Sequence, residues 1–236
     1  MSVLKANLLV TPQEIFTSSS TQGTDLGAFA TTGDGRGYRY VLAGGTALVA
    51  GKLQQSPAET TAWQNLGIAA SSAGSFTITT TSTVTVTANQ LSGGFAAISV
   101  TPGVGYLYKI KSHPAATAAV VTLTLEDPIQ VALTTSSKVD LIVNPYSSVI
   151  VNPATASGMP VGVAIYPVTA SQYGWVQSQG VCNVLADGAI TVGTSLAASN
   201  AVAGAVEPAA GVQALIGTAI TGISDTEYGM VNLNIV

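Results

Sequence analysis

The sequence predicts an all-β protein, an antiparallel β-sandwich or barrel in one or more domains, with an extended N-terminal arm and at most one short helix. Apolar residues alternate with Thr, Lys or Gly over stretches of about five residues, a period typical of half-buried strands. Pro, Gly and Asn separate these stretches, as turns between antiparallel strands require. The 236 residues suffice for one large β domain or two smaller ones.

The N-terminal part of the chain supplies the predicted arm, the first strand and the helix. Residues 1–36 are rich in Gly, Ser and Thr and show little periodicity, which favours an extended arm. Alternation from Tyr38 to Leu42 predicts a half-buried strand. Ser56-Pro-Ala-Glu predicts the short helix, with Ser56 as its cap and Glu59 closing a capping box, and Gly67 limits its length.

The rest of the chain predicts strands almost throughout. Val161, Val163 and Ile165 alternate with small residues, a second apolar run begins at Tyr173, and Asp187-Gly188 is a tight-turn pair, so residues 161–188 predict a hairpin of two buried strands. The other predicted strands are residues 47–53, 78–87, 95–100, 106–110, 121–125, 129–133, 139–143, 215–220 and 231–235. The predicted division is an arm (1–36), a β domain (37–155) and a C-terminal β-barrel-like region (156–236).

The composition is unusually poor in charge. Charged residues make up 8% of the chain, against about 25% in a typical soluble domain. Either partners cover much of the surface, as in an assembly, or the outer face consists of Thr and Ser; both interpretations stay open. The seven Lys and Arg are scattered, which argues against nucleic-acid binding. Neither a signal peptide nor an apolar run of about 20 residues is apparent, so we expect no membrane association and folding in a cytoplasm.

Residues that carry catalytic or metal chemistry are scarce. His113 is the only histidine, no Gly-x-Ser-x-Gly motif is present, and a loop histidine hydrogen-bonded to backbone is the favoured interpretation. Cys182, the only cysteine, lies in an apolar run and is predicted to be a small core residue. One His and one Cys cannot form a zinc site alone, and Asp25 and Asp34 lack the spacing of an EF-hand.

A pair of carboxylates could in principle serve a glycosidase. Asp225 and Glu227 are two residues apart, and glycoside hydrolysis uses two carboxyl groups across a cleft. The favoured interpretation is a solvated turn before Tyr228-Gly229. We therefore expect no enzymatic activity, no metal and no cofactor.

Several motifs, in their order along the chain, resemble a known family. The first is Asp34-Gly-Arg-Gly-Tyr-Arg-Tyr, and the longest is Gly105-Tyr-Leu-Tyr-Lys-Ile-Lys-Ser-His-Pro-Ala-Ala. Tyr173-Gly-Trp-Val-Gln and Val184-Leu-Ala-Asp-Gly follow. With these motifs the chain, from about Gly33 to its end, resembles the head decoration, or cement, proteins of tailed bacteriophages and prophages.

The resemblance implies a structural virion protein, commonly a homotrimer, on the outer surface of the capsid. It would staple neighbouring major capsid subunits at three-fold or quasi-three-fold positions, after assembly in the host cytoplasm. The implied partners are the major capsid protein and further copies of the chain. Extended arms can add strands to a partner's sheet, so we assign contact with the capsid or neighbouring subunits to Gln13, Glu14, Ile15, Phe16, Arg36 and Arg39.

Two other functions compete with capsid cementing. The first is a glycan- or receptor-binding module on the virion surface, for which Tyr173, Trp175 and Gln177 alternate onto one strand face. A core role for these three residues is the favoured interpretation. The second is an enzyme on a β scaffold, such as a depolymerase, against which the missing catalytic constellations weigh.

Overall fold

The computed structural model describes residues 8–211 and 213–235, and it confirms the all-β prediction. Two sheets hold nearly all of the regular structure, and contacts divide the chain into two compact units, residues 1–58 with 145–236 (unit 1) and residues 59–144 (unit 2). The elements in chain order are β1 (Leu8–Leu9), α1 (Pro12–Ile15), β2 (Phe29–Thr31), β3 (Gly37–Leu42), β4 (Leu53–Gln55), a 3-10 turn (Thr61–Trp63), β5 (Leu66–Gly67), β6 (Thr77–Thr81), β7 (Phe95–Val100), β8 (Leu107–Ser112), β9 (Val120–Leu125), β10 (Lys138–Ile142), β11 (Ile150–Val151), β12 (Pro160–Ala164), β13 (Tyr173–Leu185), β14 (Ser195–Ala198), β15 (Val206–Pro208), β16 (Leu215–Ala219) and β17 (Tyr228–Asn234).

Unit 1 is an eleven-stranded sheet that curves into a half-barrel. Its order is β1-β2-β3-β13-β17-β16-β14-β15, with β4, β11 and β12 attached beside β13. The thirteen-residue β13 is the central strand: its first half pairs with β3 and β12, and its second half pairs with β17. The predicted hairpin of residues 161–188 is confirmed by the antiparallel pairing of β12 with β13.

A one-residue bulge interrupts β13 in its middle. The register with β3 shifts between Gln177 and Gln179, so that one extra residue of β13 opposes the partner strand. Because side chains alternate with a period of two, the bulge changes which positions of β13 lie on a given side of the sheet. Before the bulge Trp175 and Val176 are both buried, on opposite faces, whereas after it Cys182 and Val184 are buried and Val181 is exposed.

Unit 2 is a nearly closed six-stranded barrel in the order β5-β10-β7-β8-β9-β6. A bridge between Ile68 and Thr80 links the two ends of this order. The inward positions of each strand fill one core, as the alternation of the sequence predicts; Ile98, Ile110 and Leu123 are among its fully buried side chains.

The predicted helix at Ser56 is wrong in its position. Only a single 3-10 turn forms nearby, at Thr61–Trp63, whereas the α-helix is Pro12–Ile15, with a complete capping box between Thr11 and Glu14. The Ser56 amide donates instead to the Met159 carbonyl, and the Met159 amide donates to the Ser56 hydroxyl, so the cap is occupied by tertiary contacts.

The predicted arm, in its described part, lies on the sheet of its own unit. β1 pairs in parallel with β2, β2 pairs with β3, and Ser19 bridges to Tyr173. Residues 1–7 lie outside the described part of the chain. The units divide the chain after residues 58 and 144, which differ from the boundaries expected near 36 and 155; the functional division into arm and two β regions stays a prediction.

His113 has the predicted role of a histidine bound to backbone. It is buried, its Nε2 accepts a hydrogen bond from the Leu91 amide at 2.9 Å, and its Nδ1 lies 2.9 Å from the Pro114 carbonyl oxygen. Because Nε2 accepts, the ring proton lies on Nδ1 and is donated to Pro114. The ring therefore holds together two loop segments of unit 2.

Replacing His113 with Phe is expected to lower the free energy of unfolding by about 1–3 kcal/mol, because it leaves the Leu91 amide buried without an acceptor. Trp63, buried in the same unit, reports this unfolding by its fluorescence in a urea titration. The control is Lys111→Ala, an exposed position two residues earlier, for which we expect a change of less than about 0.5 kcal/mol. Equal stabilities of the two variants would contradict the assigned role of His113.

Candidate binding surfaces

The four contact residues predicted on the arm divide into inward and outward side chains. Glu14 closes the helix cap, accepting from the Thr11 amide at 2.7 Å, and Ile15 is fully buried. Gln13 and Phe16 are exposed, and the Phe16 ring lies edge-on to Tyr166 with centroids 6.5 Å apart. Gln13, Glu14 and Phe16 are therefore accessible to a partner whereas Ile15 is not, and Phe16 and Tyr166 form the exposed aromatic pair of unit 1.

The two arginines that were predicted as contacts have different surroundings. Arg39 is held within unit 1, where its guanidinium donates to the Gly27 carbonyl and lies 4.8 Å from the centre of the Phe29 ring. Arg36 is half-buried, and its Nε donates to a carboxylate oxygen of Asp34 at 2.8 Å. Arg36 and Arg39 are three residues apart in an extended segment, so their side chains point to opposite faces of the sheet. The structure therefore does not bring them together.

The Asp34 carboxylate is fixed by its own turn. The Thr32 hydroxyl donates to it, the Arg36 backbone amide does so as well, and together they lower the pKa of Asp34 to about 2. It is therefore ionised at neutral pH and neutralises the Arg36 guanidinium. Across the described part of the chain, no three His, Cys, Asp or Glu side chains form a group that could hold a metal ion.

An uncharged surface covers the middle of the large sheet. We call it the outer face, the exposed side of β13, β17 and β16. The register places Val181 opposite Asn232 and Asn183 opposite Met230, and Thr218 pairs with Asn232 from the other side. Val181 is 50% exposed, and Tyr228 and Met230 are each 47% exposed. The outer face comprises Val181, Asn183, Thr218, Ile220, Tyr228, Met230, Asn232 and Asn234, none of which is charged.

Two cavities border the outer face beside Arg36. One cavity of about 390 Å³ is lined by Arg36, Gly51, Val181 and Tyr228 among others, and a second of about 460 Å³ shares Arg36 and Val181 with it. Gly51 has a φ of 73°, and a Cβ atom there would lie 2.5 Å from the Tyr228 ring. The missing side chain lets this ring lie against the backbone of Gly51.

Sequence reasoning found Arg36, which borders the outer face, but missed the outer face itself. The signal was present as alternation of Val, Asn and Met with buried residues along β13 and β17. Alternation concerns one strand at a time, and only the pairing of β13 with β17 places their exposed side chains next to each other.

The residues considered for glycan binding are mostly interior. Trp175 is 6% exposed, Gln177 is buried, and Tyr173 is half-buried. Trp175 meets the Tyr40 ring edge-on at 5.0 Å, in a cluster that Ile15 completes. The core interpretation of Trp175 and Gln177 is confirmed, and Tyr173 alone keeps accessible ring surface.

The remaining chemical candidates are structural. Asp225 lies in the turn before β17, where it accepts from the Gly188 amide at 2.7 Å, so the turn interpretation is confirmed. Cys182 is buried in the core of unit 1, as predicted, and desolvation raises the pKa of its thiol to about 12.

The Cys182 thiol is expected to weaken the fold in strong alkali. Its ordinary pKa is 9.0, so the unfolded thiol ionises near pH 9 while the folded thiol stays protonated up to about pH 12. Burial of the protonated thiol therefore contributes fully to the free energy of unfolding below pH 9, and this contribution is lost as the pH rises toward 12. Unfolding titrations between pH 8 and about 11 measure this loss, and Cys182→Ala is expected to remove that part of the pH dependence. A native protein that iodoacetamide alkylates as fast as the unfolded chain would contradict the burial.

Within the described residues, the structure contains no helix with the length and hydrophobicity that crossing a membrane requires. No model of a known protein family matches the chain, and no curated protein matches it. Among solved structures, the N base of the head fiber gp8.5 of bacteriophage phi29 is similar at 14% identity and a TM-score of 0.28, over 66% of this chain and 92% of that one. A TM-score this low assigns neither a fold nor a function to this chain.

Proposed function

We propose that this chain is a structural protein of a tailed-phage virion that binds the outer surface of the head and cements neighbouring major capsid subunits. The proposal rests on the motifs that resemble decoration proteins, and the outer face is the observation that supports it. This surface offers apolar side chains together with Asn amides, and none of its residues is charged. Such a mixture is typical of interfaces between separately folded proteins.

The mechanism is binding without catalysis. Each bound copy removes surface of more than one capsid subunit from water, so it must dissociate before those subunits separate. A specific interface buries about 1,200–2,000 Å² in total. The Asn side chains of the outer face would supply the hydrogen bonds, since each amide both donates and accepts.

The test is addition of the purified chain to heads that lack it. Bound protein co-sediments with the heads and raises the temperature at which they release DNA, as read with an intercalating dye. An unrelated β protein of similar mass and charge is the control. Heads that neither bind the chain nor gain stability would refute the proposed function.

The chain is proposed to act as a homotrimer, with the aromatic pair Phe16 and Tyr166 in the contact between copies. Contacts between identical subunits are more apolar than those between transient partners, and aromatic residues are enriched in them. We expect light scattering to give a mass about three times 23.6 kDa. A monomer at every concentration, and on the head as well, would contradict this part of the proposal.

A further inference from the structure

A cavity of about 320 Å³ lies in unit 1 between the arm and β13, and we call it the arm cavity. We propose that the arm cavity binds a small neutral saccharide. Its volume is within the range of about 300–1,000 Å³ that is usual for ligand sites. The arm cavity and the outer face are lined by different residues, so this binding would be independent of head attachment.

Aromatic rings form one wall of the arm cavity. The rings of Tyr40 and Tyr173 are nearly parallel, with centroids 6.0 Å apart, and the Trp175 indole meets Tyr40 edge-on. Tyr173 is only half-buried, so part of its ring is accessible from the cavity side. Aromatic faces are negative and attract polarised C–H groups, which the apolar face of a sugar ring supplies.

Hydroxyl groups also line the arm cavity, among them those of Thr21 and Thr24 from the arm and those of Tyr40 and Tyr173. The Tyr40 oxygen accepts from the Gly23 amide at 2.9 Å, which leaves its own proton free to donate. The hydroxyls of Tyr173, Thr21 and Thr24 have no hydrogen-bond partner within residues 8–211 and 213–235. Such groups both donate and accept, as a ligand rich in hydroxyls requires.

Glu14 determines the charge of the ligand. Its Oε2 accepts from the amide and the hydroxyl of Thr11, and these hydrogen bonds lower the pKa of the carboxyl. Its Oε1 accepts no hydrogen bond from the described residues and is free for a ligand hydroxyl. Glu14 is the one charged residue that lines the cavity, so an anionic sugar is repelled and a neutral sugar is accepted.

Trp175 fluorescence tests the proposal on the full chain. A Trp63→Phe background removes the tryptophan of unit 2, so that the remaining emission comes from the wall of the arm cavity. The probes are glucose, galactose, N-acetylglucosamine and the β-1,4-linked dimer of N-acetylglucosamine, with glucuronate as the anionic comparison. We expect a saturable change in emission with at least one neutral sugar and none with glucuronate. Absence of a saturable change with every neutral sugar overturns the proposal.

Two variants locate the binding. Glu14→Gln keeps the helix cap, since Gln serves at this capping position, but replaces the free oxygen with an amide nitrogen. It is expected to weaken binding about tenfold, as loss of a charged hydrogen bond implies. Thr24→Val removes one hydroxyl at constant shape, and Thr79→Val in unit 2 is the matched control. Sugar binding that neither Glu14→Gln nor Thr24→Val weakens lies outside the arm cavity and also overturns the proposal, whether or not the chain binds heads.

Discussion

Replacing Met230 with Glu is expected to abolish binding of the chain to bare heads while the fold is retained. Met230 lies in the middle of the outer face and is 47% exposed, so a carboxylate there stays hydrated in the free protein. At a head contact the same carboxylate would be buried without a partner, which costs several kcal/mol. Each 1.4 kcal/mol is a factor of ten in affinity, so we expect a loss of at least about 100-fold.

Val104→Glu is the matched control for this substitution. Val104 is an exposed apolar residue in the turn between β7 and β8, outside the outer face, and the substitution changes the charge by the same amount. Sedimentation with heads measures binding, and circular dichroism with thermal unfolding establishes that both variants fold. If Met230→Glu binds like the control, the outer face is not the head contact.

The outer face shows which part of a surface can be predicted from a sequence. Most of the strands were predictable, because alternation and turn residues are local, although the predicted strand of residues 129–133 does not form. The exposed part of β13 was not predictable, because the strand is buried on both faces before the bulge between Gln177 and Gln179 and exposes alternate side chains only after it. Val181 and Met230 become neighbours only through pairing across about 50 residues of chain, and no local pattern encodes that pairing.

The arm shows a second limit of prediction from sequence, the position of a short helix. Thr11-Pro-Gln-Glu and Ser56-Pro-Ala-Glu carry the same helix-start signal, and only the first forms a helix. A capping box contributes roughly 1 kcal/mol, which the tertiary hydrogen bonds between Ser56 and Met159 outweigh. A single helical turn also has no repeating stripe, so the sequence could not show that Ile15 points inward and Phe16 outward.

Ile15 and Phe16 separate the two roles of the arm, which are packing on the sheet of unit 1 and the proposed contact between copies. Ile15→Ala is expected to lower the stability of unit 1 by about 2–5 kcal/mol, because it opens a cavity among Tyr38, Tyr40 and Trp175. Phe16→Ala removes a half-exposed ring, so its cost is expected to be below about 1.5 kcal/mol, the size of one aromatic pair. Denaturant unfolding followed by Trp175 emission in the Trp63→Phe background measures both.

The assembly state of the same two variants tests the proposed trimer contact. Phe16→Ala is expected to shift the mass from light scattering toward the monomer, because three copies each lose an aromatic anchor of the contact. Ile15→Ala is expected to lose trimers only under conditions in which unit 1 begins to unfold. Removal of the whole arm cannot make this distinction, since it would delete the buried Ile15 and β2 together with Phe16 and expose the aromatic cluster beneath them. If the Phe16→Ala variant is still a trimer, the aromatic pair is not part of the contact between copies. If the Ile15→Ala variant is as stable as the parent, the arm does not stabilise the sheet on which it lies.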